Sequence, residues 1–340
     1  IDKAIASLAA ELDAASVVLL DATGVYMLLK REGTDATFLR TVNRRVIGLD
    51  VWNLRATGLD WDLVGAPWQH SRYSLDVNKR LIPVPFARPT GAKGLYNALP
   101  AAANVDPEER AAMRADFGLR DGDRLVLFPS ARWQHPASQA SETGKRLALL
   151  FPKLVGKWLA RLGPRVHVVH VSPMRYGFDE ALGDRYTWVP QRSPPRFAKV
   201  LAASDLLLSF NFSATTIVSA IAAGVPVVLG INSYAGATAD SVAEKLREPP
   251  TPELRAWLEE VAPLPAFRVW PLGLFRFLAP LARDNPYTSA IEIVETLDES
   301  AFLGAMEKLL FDEDARAAMR TRQAAYCDEI AKLPKAADLV

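Results

Sequence analysis

The stretch that decides the fold is "DLLLSFNFSATTIVSAIAAGVPVVLG", residues 205–230. An apolar run, "DLLLSF" (205–210), breaks into the polar turn "NFS", and a second apolar run, "VPVVLG" (225–230), closes the stretch. Both runs are short and aliphatic, which suits strands buried on both faces of a parallel sheet. Between them "SATTIVSAIAAG" (213–224) reads as one helix. Alanines 220, 222 and 223 let it lie close to the sheet, Gly224 supplies a left-handed cap, and Pro226 prevents continuation. The segment is a strand–helix–strand unit.

The same alternation extends outward. "RLVLFPS" (124–130), "RVHVVHVS" (165–172) and "YTWVP" (186–190) read as strands. "TGKRLALLFPKLVGKWLARLG" (143–163) and "SPPRFAKVLAAS" (193–204) read as helices. Strands alternating with helices predict right-handed crossovers and a parallel, doubly wound sheet. "AFRVWP" (266–271) and "SAIEIVE" (289–295) are further candidate strands, and residues 299–333 read as two helices. Upstream, "SVVLLD" (16–21) and "RRVIGLDV" (44–51) are strand-like, and "RLIPVPFARPTGAKG" (80–94) reads as a Pro/Gly-rich connector. "DPEERAAMRADFGL" (106–119) has a helix start at Asp106 and Pro107 and a stop at Gly118. The expected division is an N-terminal α/β domain over 1–90, a connector and helix over 91–122, and a C-terminal Rossmann-like domain over 123–340. The chain opens inside a helix-like segment, "IDKAIASLAAEL", so the first domain is expected to be incomplete.

Of the 340 residues half are hydrophobic, and the formal net charge is +1, which argues against a dedicated nucleic-acid binder. One cysteine, Cys327, excludes an intramolecular disulfide framework and a multi-cysteine zinc site and fits a reducing cytoplasm. It lies in "RTRQAAYCDEI", which reads as a packed helix, so an inert thiol is expected. No apolar run is long enough to span a bilayer. The histidines at 70, 135, 167 and 170 lack acidic partners at metal spacing, so no metal is expected.

In a parallel sheet ligands bind at the carboxyl ends of the strands. There the first turn of a helix offers free N–H groups and positive potential to an anion. Asn211, Ser213, Ala214, Thr215 and Thr216 supply such a turn after the strand 205–210, though Ser, Thr and Asn are also ordinary capping residues. "SARWQHPAS" (130–138) falls at the same sheet edge. Arg132 there is a candidate for pyrophosphate, and Trp133, Gln134 and His135 for base or sugar contacts, or they form a packed loop. Asn232 and Ser233 follow the strand 225–230 and could reach sugar hydroxyls.

"SDLLLSFNFSATTIVSAIAAGVPVVL" (204–229) resembles the donor-binding segment of GT-B glycosyltransferases and their epimerase relatives. The order of residues 124–340, including "LLFDEDARAAM" (309–319), is similar to a GT-B C-terminal domain. The resemblance implies two Rossmann-like domains facing a cleft and glycosyl transfer to a small-molecule or peptide acceptor. It also implies a nucleotide-sugar donor as co-substrate, with no resident cofactor or metal. It places Gln191 and Arg192 near the base. Where many such enzymes carry a ribose-binding glutamate this chain has Ser219, and Ser213 and Ala214 replace common glycines. Those departures keep two other readings open, a nucleotide-sugar epimerase and a non-catalytic binding subunit. Asp21 and Asp50, at strand ends, are candidate bases for an acceptor hydroxyl, as is His135. The aspartates could equally cap a helix or pair with Arg44 or Arg45.

Overall fold

The computed structural model describes residues 7, 10–11, 16–19, 25, 45–51, 53, 58–59, 77–85, 92–101, 105–139, 141–190, 193–264 and 275–340. The chain divides into two units. One comprises residues 1–99, 279–287 and 328–340, and the other residues 100–278 and 288–327. Residues 100–122, expected as connector, thus group with the second unit, and residues 328–340 group with the first.

The first unit holds a four-stranded parallel sheet in the order β1 (Ser16–Leu19), β2 (Arg45–Leu49), β3 (Lys79–Val84) and β4 (Leu95–Asn97). Ile47, Leu81 and Tyr96 form its core, with Ala336 and Leu339 packed against them. β3 and β4 correct the reading of residues 80–94 as a connector. Pro83 is tolerated in the strand because its partner on that side has already ended. The β2–β3 register stops at Leu49 opposite Leu81, and Ile82 donates to Gly94 on the other side. The missing N–H of Pro83 therefore costs no ladder bond. Gly94, at φ +91°, is the one residue type that fits beneath β3, since a Cβ there would lie 2.2 Å from the Arg80 carbonyl oxygen.

In the second unit β5 (Arg124–Pro129), β6 (Val166–Ser172), β7 (Tyr186–Pro190), β8 (Leu206–Ser209), β9 (Val227–Ile231) and β10 (Glu292–Glu295) form a second parallel sheet. Their order is β10-β9-β8-β5-β6-β7. The helices that bear on the argument are α1 (Pro107–Asp116), α2 (Glu142–Arg161), α3 (Pro194–Ala203), α4 (Thr215–Ala222), α5 (Glu299–Phe311) and α6 (Glu313–Ala331). α2 starts where Ser141 accepts from the Gly144 N–H at 3.1 Å. Its buried face carries Leu147, Phe151, Leu154, Val155 and Trp158, at helical spacing. These residues join Phe128, Phe210, Phe302 and Met306 in one core. Each such side chain contributes about 1.5–3 kcal/mol on burial.

Asp205, buried at the start of β8, accepts from the Leu125 N–H at 2.8 Å and from Arg114 at 2.8 Å. Arg316 lies 3.5 Å away, so the buried carboxylate is compensated while it locks β8 to β5. Cys327 is half-buried on α6, its Sγ 3.9 Å from the Ile221 carbonyl, in keeping with a packed thiol. "SAIEIVE" contains β10, whereas "AFRVWP" lies outside the described residues.

Candidate functional site

The strand order of the second sheet reverses between β5 and β8. β6 and β7 follow β5 on one side, and β9 and β10 follow β8 on the other. Crossovers leave that point in opposite directions, so the carboxyl ends of β5 and β8 border an opening. A cavity of about 1000 Å³ lies there, within the second unit. Pro129 and Ser130 line it after β5, Ser172 at the end of β6, and Ser209 at the end of β8, together with the start of α4.

α4 begins without a side-chain cap. Ala214 occupies the N-cap position in extended conformation (φ −72°, ψ 124°) and has no oxygen to offer. Asn211 turns the chain just before it, with its Oδ1 accepting from the N–H of Ser213 at 3.2 Å and from the Ser213 hydroxyl at 3.1 Å. Among the described residues the N–H groups of Thr215 and Thr216 have no protein acceptor, and neither do their hydroxyls. Four donors at the positive end of a helix thus face the cavity. The exposed Arg132 lines the same cavity. The opposite wall is apolar, with Pro173, Pro194, Pro195, Phe197 and Leu201. Among the described lining residues there is no Asp or Glu, so nothing local repels an anion.

Beneath Ser130 lies a buried polar network. Its Oγ is 3.0 Å from Nε2 of His135 and 2.7 Å from Nε2 of His170. His170 Nδ1 is 2.9 Å from the Tyr186 hydroxyl, which donates to the Tyr176 carbonyl at 3.2 Å. Burial lowers His135 to about 4, and burial together with the neighbouring His135 lowers His170 to about 3, so both rings are neutral at pH 7. The Tyr176 and Tyr186 hydroxyls are pushed up, chiefly by burial.

The predicted site residues separate into three groups. Arg132, Gln134, Asn211, Ser213, Ala214, Thr215, Thr216 and Ser219 come together around the cavity. Gln134 is itself buried, and its Oε1 accepts from the Ala131 N–H at 2.8 Å. Ser219 turns its hydroxyl back to the Thr215 carbonyl at 3.2 Å. Other candidates lie apart from it. Trp133 packs against the core, and His135 is fully buried below Ser130 with no surface to present to a base or an acceptor. Asn232 caps the turn after β9, and the Ser233 N–H donates to Glu295 at 3.0 Å, away from the cavity. Asp50 is buried in the first unit, 3.2 Å from Arg80, which removes it as an open base. Asp21, Gln191 and Arg192 lie outside the described residues. Sequence reasoning missed Ser172 and Ser209. The available signal was a hydroxyl at the end of adjacent strands. Among the described residues no group of three His, Cys, Asp or Glu side chains could hold a metal ion, and no helix is long and apolar enough to cross a membrane.

One family model, "Family of unknown function (DUF6365)", matches residues 1–340. The chain belongs to that family. The chain is 28% identical over 159 residues to the D-inositol 3-phosphate glycosyltransferase of Mycobacteroides abscessus. That match covers 39% of this chain and only 32% of the enzyme's length. Among solved structures, the S. aureus MnaA–UDP complex covers 98% of this chain and 80% of its own, at 9% identity and a TM-score of 0.53. The spinosyn rhamnosyltransferase SpnG with its aglycone covers 98% and 74%, at 16% identity and 0.53. A putative UDP-N-acetylglucosamine 2-epimerase from Listeria monocytogenes covers 94% and 72%, at 9% identity and 0.52. At these identities the likeness is one of fold. This DUF6365 chain has the GT-B-type fold expected from its sequence, with a Rossmann-like parallel sheet in each unit.

Proposed function

We propose that this protein transfers a glycosyl group from a nucleotide-activated sugar to a small-molecule or peptide acceptor. The observation that carries the reading is the uncapped start of α4, where free N–H and hydroxyl groups of Thr215 and Thr216 share a large cavity with Arg132. Oriented amides, a helix dipole and a guanidinium are what a departing diphosphate requires, since negative charge builds on it as the glycosidic bond breaks. The apolar wall of Pro194, Pro195 and Phe197 offers a surface for a nucleobase. The fold shared with a rhamnosyltransferase, and the partial match to a glycosyltransferase, agree with this chemistry.

The epimerase reading draws on two of the same-fold structures, but elimination chemistry needs acid–base groups at the sugar. A binding subunit remains the reading to beat, because Ser219 supplies no carboxylate for ribose.

Calorimetric titration with UDP, TDP and GDP is the test. At least one binds, and Arg132→Ala combined with Thr216→Val weakens it about tenfold or more, the loss of a charge-assisted and a neutral hydrogen bond. Unchanged affinity in that variant removes the diphosphate from α4. Incubation of the nucleotide sugar alone leaves it intact, whereas an epimerase would convert it.

A further inference from the structure

Arg132 is the exposed member of a turn whose other residues are tied down. It opens a short 3-10 turn, Arg132–Gln134, on the segment between β5 and α2. Its neighbour Trp133 packs against the core, and Gln134 and His135 are buried. A long cationic side chain on a loose loop loses freedom when it grips an anion, and that loss weakens binding. A turn fixed beforehand removes the backbone share of the loss.

Gln134 does most of the fixing. Its Oε1 accepts from the Ala131 N–H at 2.8 Å, and its own N–H donates to the Ala131 carbonyl at 3.0 Å. The two bonds close a ring around Arg132, the reach-back half of a capping box. The carbonyl of Gln134 takes a third bond, from the Tyr176 hydroxyl at 3.1 Å. Tyr176 is buried and is hydrogen-bonded to the Ser130 side chain as well, so one phenol ties the turn to the residue that follows β5. The His135 N–H donates to the Arg132 carbonyl at 3.1 Å, and the Gln139 side chain donates to the Trp133 carbonyl. Each carbonyl from Ala131 to Gln134 therefore has its donor.

We infer that Gln134 is a positioning residue for Arg132: with Tyr176 it holds the turn so that the guanidinium is in place at the cavity before an anion arrives. The role works through Arg132 and asks neither side chain to touch the ligand. The amides of α4 are held by their own helix, so they depend on neither residue. The inference rests on the diphosphate reading and adds which residues make Arg132 effective.

The test is a pair of double-mutant cycles read by calorimetric titration with the tightest-binding of UDP, TDP and GDP. Gln134→Met keeps the side-chain length and removes the acceptor for Ala131. It weakens binding about fivefold, and by no more than Arg132→Ala does. In the Arg132→Ala background the same substitution changes affinity by less than about twofold, because no guanidinium is left to position. Combined with Thr216→Val, by contrast, its loss multiplies with that of Thr216. An effect below about twofold in the otherwise wild-type chain overturns the inference. So does a loss that persists in full without Arg132, which makes Gln134 a ligand contact or a support of the whole cavity. Where Gln134→Met gives no cooperative melt, Tyr176→Phe replaces it in both cycles. That variant deletes the oxygen that holds the Gln134 carbonyl and keeps the ring, whose centroid lies 4.6 Å from that of His135. Its expected loss is about threefold, judged by the same two criteria. Either overturning result leaves Arg132 and α4 standing as the donor site. If no nucleotide binds wild type, or if Arg132→Ala binds it as wild type does, the diphosphate reading fails and this inference with it.

Discussion

His135 and His170 show how a single residue's environment reaches the stability of the whole. Unfolded, each titrates near pH 6.5. Folded, burial holds His135 at about 4, and burial together with the neighbouring His135 holds His170 at about 3. Between those values the unfolded chain binds more protons than the folded one, so protonation draws the equilibrium towards unfolding. Their neutral burial is therefore fully tolerated above about pH 6.5, and stability is lost as the pH falls from there towards 4. Each ring contributes a slope of about 1.4 kcal/mol per pH unit across that window. Urea denaturation at stepped pH reads this directly, and His170→Phe lowers the slope by about 1.4 kcal/mol per pH unit because that ring no longer titrates. A slope indifferent to that substitution would place the titrating group elsewhere.

At the scale of an element, α4 carries a conflict between stability and binding. A helix whose N-cap is Ala leaves first-turn donors unmet, and Ala is among the poorer residues at that position. The extended backbone of Ala214 already suits a capping side chain. Ala214→Asp is expected to stabilise the fold by about 0.5–2 kcal/mol, by accepting from the Thr216 N–H. The same carboxylate occupies the donors and repels an anion, so nucleotide binding falls by at least tenfold. A melting curve and a titration on one variant check both halves. β9 gives the converse case, in which a small residue serves packing alone. A Cβ on Gly230 would lie 2.4 Å from Phe210 and 2.6 Å from Thr296 Oγ1. Gly230→Ala is expected to cost about 1–3 kcal/mol through overpacking, seen as a lowered melting temperature.

For the molecule as a whole, the sequence was most transparent where a rule acts locally. β5, β6, β8 and β9 are apolar runs bounded by turn residues, and α4 has its start and stop written beside it. The place of Ser213, Thr215 and Thr216 at the cavity followed from those boundaries, because a helix start after a parallel strand has one place to point. Ser130's network was hidden because His135 and His170 meet only when β5 and β6 pair in register, Phe128 opposite His170. β3 was hidden by Pro83, whose harmlessness depends on where another strand ends. The final residues were hidden too, since a helix pattern does not say which core it serves. Asn97 donates to the Pro334 carbonyl at 2.9 Å and bridges to Lys335, and Leu339 packs on the core of the first sheet. A chain stopped after Leu333 would strip β4 of that cover while leaving the strand pairing of β5 to β10 in place. Hydrogen exchange should then quicken at Ile82, Asn97 and Ala98, whose amides hold β3 and β4 together and to the tail. Amides of β5, β6 and β8 should keep their protection, and nucleotide affinity should hold. Uniform loss of protection across both sheets would mean that the tail supports more than the first unit.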